Sequence, residues 1–259
     1  MSALLSVEGL AKRFGGLQAV SDFHLNVPEG TVSSLIGPNG AGKTTVFNLI
    51  TGIHRPDAGS IRFLGRELAR LLPHQVAELG IARTFQTVRL FPNLTCFENV
   101  LAGQHCRSRA GVWASLVRTP AQRREEARVQ ATARRCLEQV GLWRQRDELA
   151  TSLAYGDRKR LEIARALATE PVLLILDEPA GGLNDRESEA LMELILQVRA
   201  SGVTVLLIEH DMHVVMGISD QVTVMENGRV IATGSPEAVR NAPEVVEAYL
   251  GHDDVEEDL

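Results

Sequence analysis

The sequence predicts an α/β fold: a parallel-sheet core covered on both faces, an antiparallel β-subdomain near its start, and an inserted helical subdomain. Three observations predict it. The runs "VLLILD" (172–177) and "VTVLLIEH" (203–210) are short and continuously apolar, and a helical pattern from Arg186 to Ala200 separates them. Strand, helix, strand with no polar alternation is the signature of parallel strands buried on both sides. Residues 97–140 are nearly free of Gly and Pro, interrupted only by Gly103, Gly111 and Pro120, and are rich in Arg, Glu, Ala and Leu, which predicts helices. The first forty residues carry short β-type runs divided by turn residues.

Taken in order, Leu4 to Gly9 reads as a first strand and Ala19 to Val27 as a second, with the alternation of a half-buried strand. Thr31 to Ile36 reads as a third, after the Pro and Gly turn of "NVPEGTV". After Gly42 the apolar spacing becomes helical through Thr44, Phe47, Leu49 and Ile50, until Gly52 and Pro56 end it. The helical block follows, then the strand–helix–strand unit from Pro171. The last eight residues, "HDDVEEDL", are acidic and are expected to form a disordered tail. These readings divide the chain into a core of residues 1–86 and 166–251, an inserted helical subdomain at 87–165, and a tail at 252–259.

A length of 259 residues is enough to bury a sizeable core. The net charge of −6 argues against a broad nucleic-acid footprint, which needs clustered cations on one face. Arg123, Arg124, Arg128, Arg134 and Arg135 do cluster, but with Glu125 and Glu126 at helical spacing, as on a solvated helix face. Cys96, Cys106 and Cys136 are odd in number and lack metal-ligand spacing, which predicts reduced thiols in a cytosolic protein. No apolar run approaches spanning length, so any work at a membrane requires a partner to hold the chain there.

The chemistry concentrates in four places. Gly37-Pro38-Asn39-Gly40-Ala41-Gly42-Lys43-Thr44 fits the pattern Gly-x-x-x-x-Gly-Lys-Ser/Thr, between a predicted strand and a predicted helix. Its glycines let backbone N–H groups turn inward around a β-phosphate. Lys43 is placed to bridge β- and γ-phosphates, and the Thr44 hydroxyl to ligate Mg²⁺. The strand "VLLILDEP" ends in Asp177, suited to orient Mg²⁺ through its water shell, and Glu178, suited to activate a water. Gln86 in "RTFQ" lies at the junction with the insert, where an amide could reach metal and water, and His210 ends "VTVLLIEH", within range of a γ-phosphate. Singly, Gln86 reads as well as a polar loop residue and His210 as a strand-end cap.

Their order, with "LAYGDRKRLEIARAL" (153–167) between Gln86 and Asp177, resembles that of the ATP-binding cassette (ABC) ATPases, P-loop NTPases with a RecA-like core, and the resemblance runs from about residue 4 to 250. It implies binding and hydrolysis of ATP with Mg²⁺. By it, Gly37 to Thr45, including Thr45, is the Walker A loop, Gln86 the Q-loop, and Leu153 to Asp157 the signature. Leu173 to Asp177 is the Walker B strand, Glu178 the catalytic base and His210 the switch histidine. Phe14, in "KRFGGLQAV", matches the aromatic that stacks on adenine, and serves equally as an apolar residue of the β-subdomain.

The signature departs from the usual Leu-Ser-Gly-Gly-Gln. Ala154, Tyr155 and Gly156 retain the glycine amide but lose the serine hydroxyl, worth roughly 1.5–3 kcal/mol as a hydrogen bond to a charged phosphate. What survives is Gly156 and the N-terminus of a helix expected to begin near Asp157. Asp157 itself reads either as a dipole-complementing residue screened by Arg158, Lys159 and Arg160 or as a carboxylate facing phosphate. Asn184 stands where the family's D-loop carries Asp.

"GIARTFQTVRLFPNLTCFENV", "RLEIARAL", "IEHDMHVVMGISD" and "AYLG" are most similar to ATPase subunits of high-affinity branched-chain amino-acid importers. That resemblance implies a head-to-tail ATP-sandwich dimer with a paralogous ATPase subunit or with itself, two integral-membrane permease subunits, and indirectly an extracytoplasmic solute-binding protein. It implies a cytoplasmic chain, peripheral on the inner face of the cell membrane, with no nucleic-acid partner. A permease helix is expected to dock between the lobes near Gln86 and "TVRLFPNLT", where Val88, Leu90 and Phe91 either line the groove or pack within the subdomain. Importers of urea, other amino acids or carboxylates, and a soluble non-transport ABC ATPase, are the alternatives.

Overall fold

Two long strands open the chain, and both outrun the sequence prediction. In the computed structural model, which describes residues 3–104 and 120–253, β1 (Ala3–Phe14) and β2 (Leu17–Pro28) pair antiparallel through a hairpin at Phe14↔Leu17. The register shifts between Val7 and Leu10 and between Leu10 and Lys12 mark irregularities that local periodicity does not carry. β3 (Val32–Ile36) is buried at every residue and leads into the loop that opens α1 (Lys43–Ile50). β4 (Ala58–Phe63) and β5 (Arg66–Glu67) complete a four-stranded sheet in the order β2-β1-β4-β5.

Helix α2 (Pro73–Glu78) leads to the short strand β6 (Ile81–Arg83). The expected helical block resolves into α3 (Cys96–Gly103) and α4 (Pro120–Gln139), with Gly111 and Cys106 outside the described residues. α3 starts on a capping box in which Thr95 accepts from the Glu98 amide. Two 3₁₀ turns, Trp143–Gln145 and Ala150–Ser152, precede α5 (Tyr155–Leu167). Then follow β7 (Leu173–Asp177), α6 (Asp185–Ala200), β8 (Thr204–Ile208), α7 (Met212–Ile218), β9 (Gln221–Glu226), β10 (Arg229–Gly234), α8 (Pro236–Arg240) and α9 (Pro243–Asp253). The last helix therefore reaches two residues into the segment expected as a tail.

The six-stranded sheet has the order β10-β9-β3-β8-β7-β6, parallel except for the antiparallel edge strand β10. Its apolar runs alternate between two cores. Leu173, Ile175, Leu206 and Ile208 face the cluster shared with α1 and the antiparallel sheet, whereas Leu174, Leu176, Val205 and Leu207 face the cluster built with α3–α6. Burial on both faces is why β7 and β8 read as unbroken apolar runs. The register pairs Asp177 with Ile208 and Leu35 with Ile208, so β3, β7 and β8 end at one edge. In a parallel sheet that carboxyl edge is where ligands are bound.

The basic residues of α4 lie on a solvated face as expected. Arg128 and Arg134 pair with Glu170 and Glu138 at 3.1 and 2.8 Å with their own side chains well exposed. Cys96 and Cys136 are free and buried, and burial pushes both thiols up to about 11. Among the described residues no helix is long and apolar enough to cross a membrane.

Candidate nucleotide site

The loop from Gly37 to Gly42 is shaped by close approach to two other strands. A Cβ on Gly37 would overlap the Met225 carbonyl of β9, and one on Gly42, whose φ is 104°, would strike the Ala19 carbonyl of β2. Only glycine fits either place. Gly42 caps α1 with no side-chain hydrogen bond, and the first turn of the helix holds no acidic residue, so its free N–H groups present an uncompensated positive end. Lys43 lies buried along the loop and donates to the carbonyls of Gly37 (2.6 Å) and Pro38 (2.9 Å). Burial lowers its pKa, and the nearby Glu178 and Asp177 partly offset that effect. Pro38, Asn39, Gly40 and Ala41 form the turn, closed by the Ala41 amide on the Pro38 carbonyl (3.2 Å), while Thr44 is exposed and Thr45 half-buried at the helix start.

The acidic strand end lies at the same edge, with β8 between β7 and β3. The Asp177 side chain is only 4% exposed, and its Oδ2 takes the Arg83 guanidinium at 2.7 Å. Arg83 also donates to Asn48 (2.8 Å) and Thr51 (3.2 Å) on and just after α1, so it ties α1, β6 and β7 together. Its Nε is the one buried side-chain polar atom without a partner among the described residues. Nothing in the sequence singles out Arg83, because the charge matters only once three elements bury it.

Glu178 has a φ of 48°, a left-handed conformation that costs a non-glycine residue on the order of 1–3 kcal/mol. Its carboxylate receives the Gln86 amide at 2.8 Å and lies 4.0 Å from His210 Nδ1. The sequence-predicted Gln86, Glu178 and His210 therefore converge, although 92 residues separate the first two. Glu209, fully buried, accepts from the Ala180, His210 and Asp211 amides, and burial raises its pKa in spite of those bonds. The sequence reading passed over it as part of an apolar strand.

Phe14 is 42% exposed at the β1–β2 hairpin, edge-on to His54 with centroids 5.2 Å apart, and β2 brings this hairpin beside Gly42. Residues bearing oxygen donors suited to Mg²⁺ lie at the same edge: Thr44 in the first turn of α1, Asp177 at the end of β7, whose Oδ1 carries no hydrogen bond among the described residues, and Gln86, whose side chain reaches Glu178.

The 154–156 turn lies elsewhere. Ala154 is the N-cap of α5, so the helix begins at Tyr155, two residues before the expected start, and no side chain caps it. Gly156 is buried against Glu187 of α6, and an added Cβ would come within 2.8 Å of its carboxylate; Tyr155 leans on Gly182. Asp157 turns back along its own helix to Arg160 at 2.5 Å, with Gln145 at 3.5 Å. Arg160 alone screens it, because Arg158 is committed to the Leu153 and Thr151 carbonyls and Lys159 to those of Glu178 and Pro179. Asn184 caps α6 in a reciprocal box with Glu187.

A glycine cradle before a helix, an acidic strand end one strand away, and a glutamate met by Gln and His define a P-loop nucleotide hydrolase. The ABC transporter family model matches residues 20–181, and a model of branched-chain amino-acid ATP-binding cassette transporters matches residues 229–255. The chain is 49% identical to the high-affinity branched-chain amino-acid transport ATP-binding protein LivG of Salmonella typhimurium, over 96% of this chain and 98% of that one. It superimposes on a crystal structure of a nucleotide-free ATP-binding cassette from an ABC transporter with a TM-score of 0.83 at 32% identity, covering 96% of this chain and 99% of the other. On a dimeric bacterial ABC transporter cassette the TM-score is 0.76 at 25% identity, covering 90% and 98%. The chain belongs to the ABC transporter ATP-binding family: it binds ATP and is the ATP-hydrolysing subunit of a transporter.

Proposed function

We propose that this chain powers uptake of branched-chain amino acids, leucine, isoleucine and valine, through partner permease subunits. Identity of 49% along nearly the whole length of LivG supports that substrate class. The observation that carries the hydrolytic reading is the meeting of Gln86 and His210 on the Glu178 carboxylate beside Lys43. In this reading Gly37 to Thr45 wraps the β-phosphate with backbone N–H groups, and Lys43 leaves its loop carbonyls for the β- and γ-phosphate oxygens. Glu178 takes a proton from the attacking water, Gln86 orients that water, and His210 contacts the γ-phosphate. Thr44, Asp177 and Gln86 would hold Mg²⁺, which would supply positive charge against the phosphate oxygens. Phe14 stacks on the adenine.

Two ATPase chains, this one with a paralogue or a second copy, face each other head to tail. The Ala154, Tyr155 and Gly156 turn of each meets the γ-phosphate bound by the other; the likeness to a dimeric cassette supports the pairing of two chains. Residues 87–165 act as the signature subdomain on a core of 1–86 and 166–251. A groove of 380 Å³ between the lobes, lined by Ile53, Val76, Phe85, Phe91 and Ala102, receives a permease helix and keeps the chain on the inner face of the cell membrane. Phe91 lines this groove, whereas Leu90 packs into the helical core and Val88 belongs to neither. The solute-binding protein acts indirectly, through the permease.

The test is ATP turnover and leucine uptake by the assembled transporter. Glu178→Gln should lower turnover about 100-fold or more, as for loss of a general base. Lys43→Ala should abolish retention of magnesium ATP. Wild-type turnover in Glu178→Gln, or leucine uptake unchanged after deletion of this chain, would refute the proposal.

A further inference from the structure

Lys159 is a buried cation for which the hydrolytic reading has no use. It lies one turn beyond Gly156 on α5, only 6% exposed, and burial lowers its pKa against the pull of Glu209, Glu162 and Glu178. Its Nζ donates to the carbonyls of Glu178 (3.0 Å) and Pro179 (2.9 Å). The Glu178 carbonyl already accepts the Gly181 amide at 3.2 Å, so the ammonium is not needed to satisfy it. A buried charge is costly to keep, and here a neutral donor on the Pro179 carbonyl, which takes no other hydrogen bond among the described residues, would satisfy the same group, which argues for a placement role.

What Lys159 grips is the left-handed segment that carries the Glu178 carboxylate. From the other side, the Ala180 amide donates to Glu209 Oε1 at 2.6 Å, and Glu209 Oε2 receives the His210 amide at 3.1 Å. Residues 178–180 are thus held between the Lys159 ammonium on two carbonyls and the Glu209 carboxylate on one amide. The same carboxylate fixes the backbone of His210. One end of this chain of contacts is the helix that begins at the 154–156 turn, and the other is the Glu178 and His210 pair.

We propose that Lys159 is a positioning residue that sets the geometry of Glu178 and links it to α5, so that capture of the facing chain's phosphate by the 154–156 turn aligns the base of this chain's own site. The proposal rests on the reading of Glu178 as base. A displacement of about 1 Å at a reacting group can cost on the order of 100-fold in rate, so a strut of this kind has enough leverage to matter.

The experiment measures ATP turnover by the assembled transporter carrying Lys159→Met, Lys159→Arg, Glu178→Gln or the Lys159→Met/Glu178→Gln pair. Lys159→Met should lower kcat on the order of tenfold or more with little change in KM, and reduce the cooperativity of ATP hydrolysis. Lys159→Arg, which can still donate to both carbonyls, should recover most of the rate. The double variant should be no slower than Glu178→Gln alone, because a strut acting through Glu178 has nothing left to position. Should Lys159→Met fail to fold, Lys159→Gln, with one amide donor, is judged by the same outcomes. Wild-type kcat in Lys159→Met, or a double variant slower than Glu178→Gln by the full Lys159 effect, overturns the proposal. Wild-type turnover in Glu178→Gln removes the base itself and is seen independently of Lys159.

Discussion

Asp157 shows how a single side chain can depart from its family's pattern at little cost. A carboxylate beside a triphosphate would be repulsive, but this one is drawn back to Arg160 and sits in the first turn of α5, where a negative charge complements the helix dipole by roughly 0.3–1 kcal/mol. Asp157→Gln is therefore expected to change ATP turnover of the assembled transporter only a few-fold. Abolished activity would show instead that the carboxylate faces the phosphate. The cradle was legible by its own spacing, whereas the acidic strand end, Gln86 and His210 were legible only together with it, through their order along the chain. Arg83, Lys159 and Glu209 were not. Their roles come from burial among residues far away in sequence, and a lysine or glutamate inside a charged helix or at a strand end gives no local sign of it.

At the scale of elements, α5 and α6 are paired by their beginnings. The Asn184 side chain accepts the Glu187 amide, Glu187 returns to the Asn184 amide, and the same Glu187 carboxylate lies against Gly156 at the start of α5. Asn at this place is thus a helix cap as good as the Asp usual in the family. Asn184→Ala should cost about 1 kcal/mol in urea unfolding of the isolated chain, while Asn184→Asp should leave the midpoint nearly unchanged. Equal midpoints for all three proteins would show that the box contributes nothing. Three strands of the six-stranded sheet, β3, β7 and β8, were legible in the sequence because burial on both faces removes polar alternation. The strands β4 to β6, β9 and β10 were missed: β4 opens on Ala-Gly-Ser, which reads as a turn, β5 and β6 are only two and three residues long, and β9 and β10 mix polar residues into their apolar pattern.

For the whole molecule, the groove between the lobes adjoins the nucleotide edge. Arg83 and Phe85 line it, and both stand within three residues of Gln86, whose amide reaches Glu178. A body seated there would feel any shift of that segment. Ala77 lies on the wall of the groove, half-buried, so Ala77→Arg should block the cavity without disturbing the cradle. The expected result is loss of co-purification with the permease and of leucine uptake, with ATP binding by the isolated chain retained. Undiminished co-purification would place the permease elsewhere.

Local order along the chain was sufficient for the α/β class, the glycine-rich loop and the family, and for naming Gln86, Glu178 and His210 as candidates, because those features depend on short spacings, on chain order and on the polarity of successive residues. Folding in three dimensions settled the rest: which charges are buried, where Asp157 points, and how Lys159 and Glu209 grip the turn after β7. Burial and long-range hydrogen bonding set the energy of a charged group, and both are properties of neighbours that no window of sequence contains.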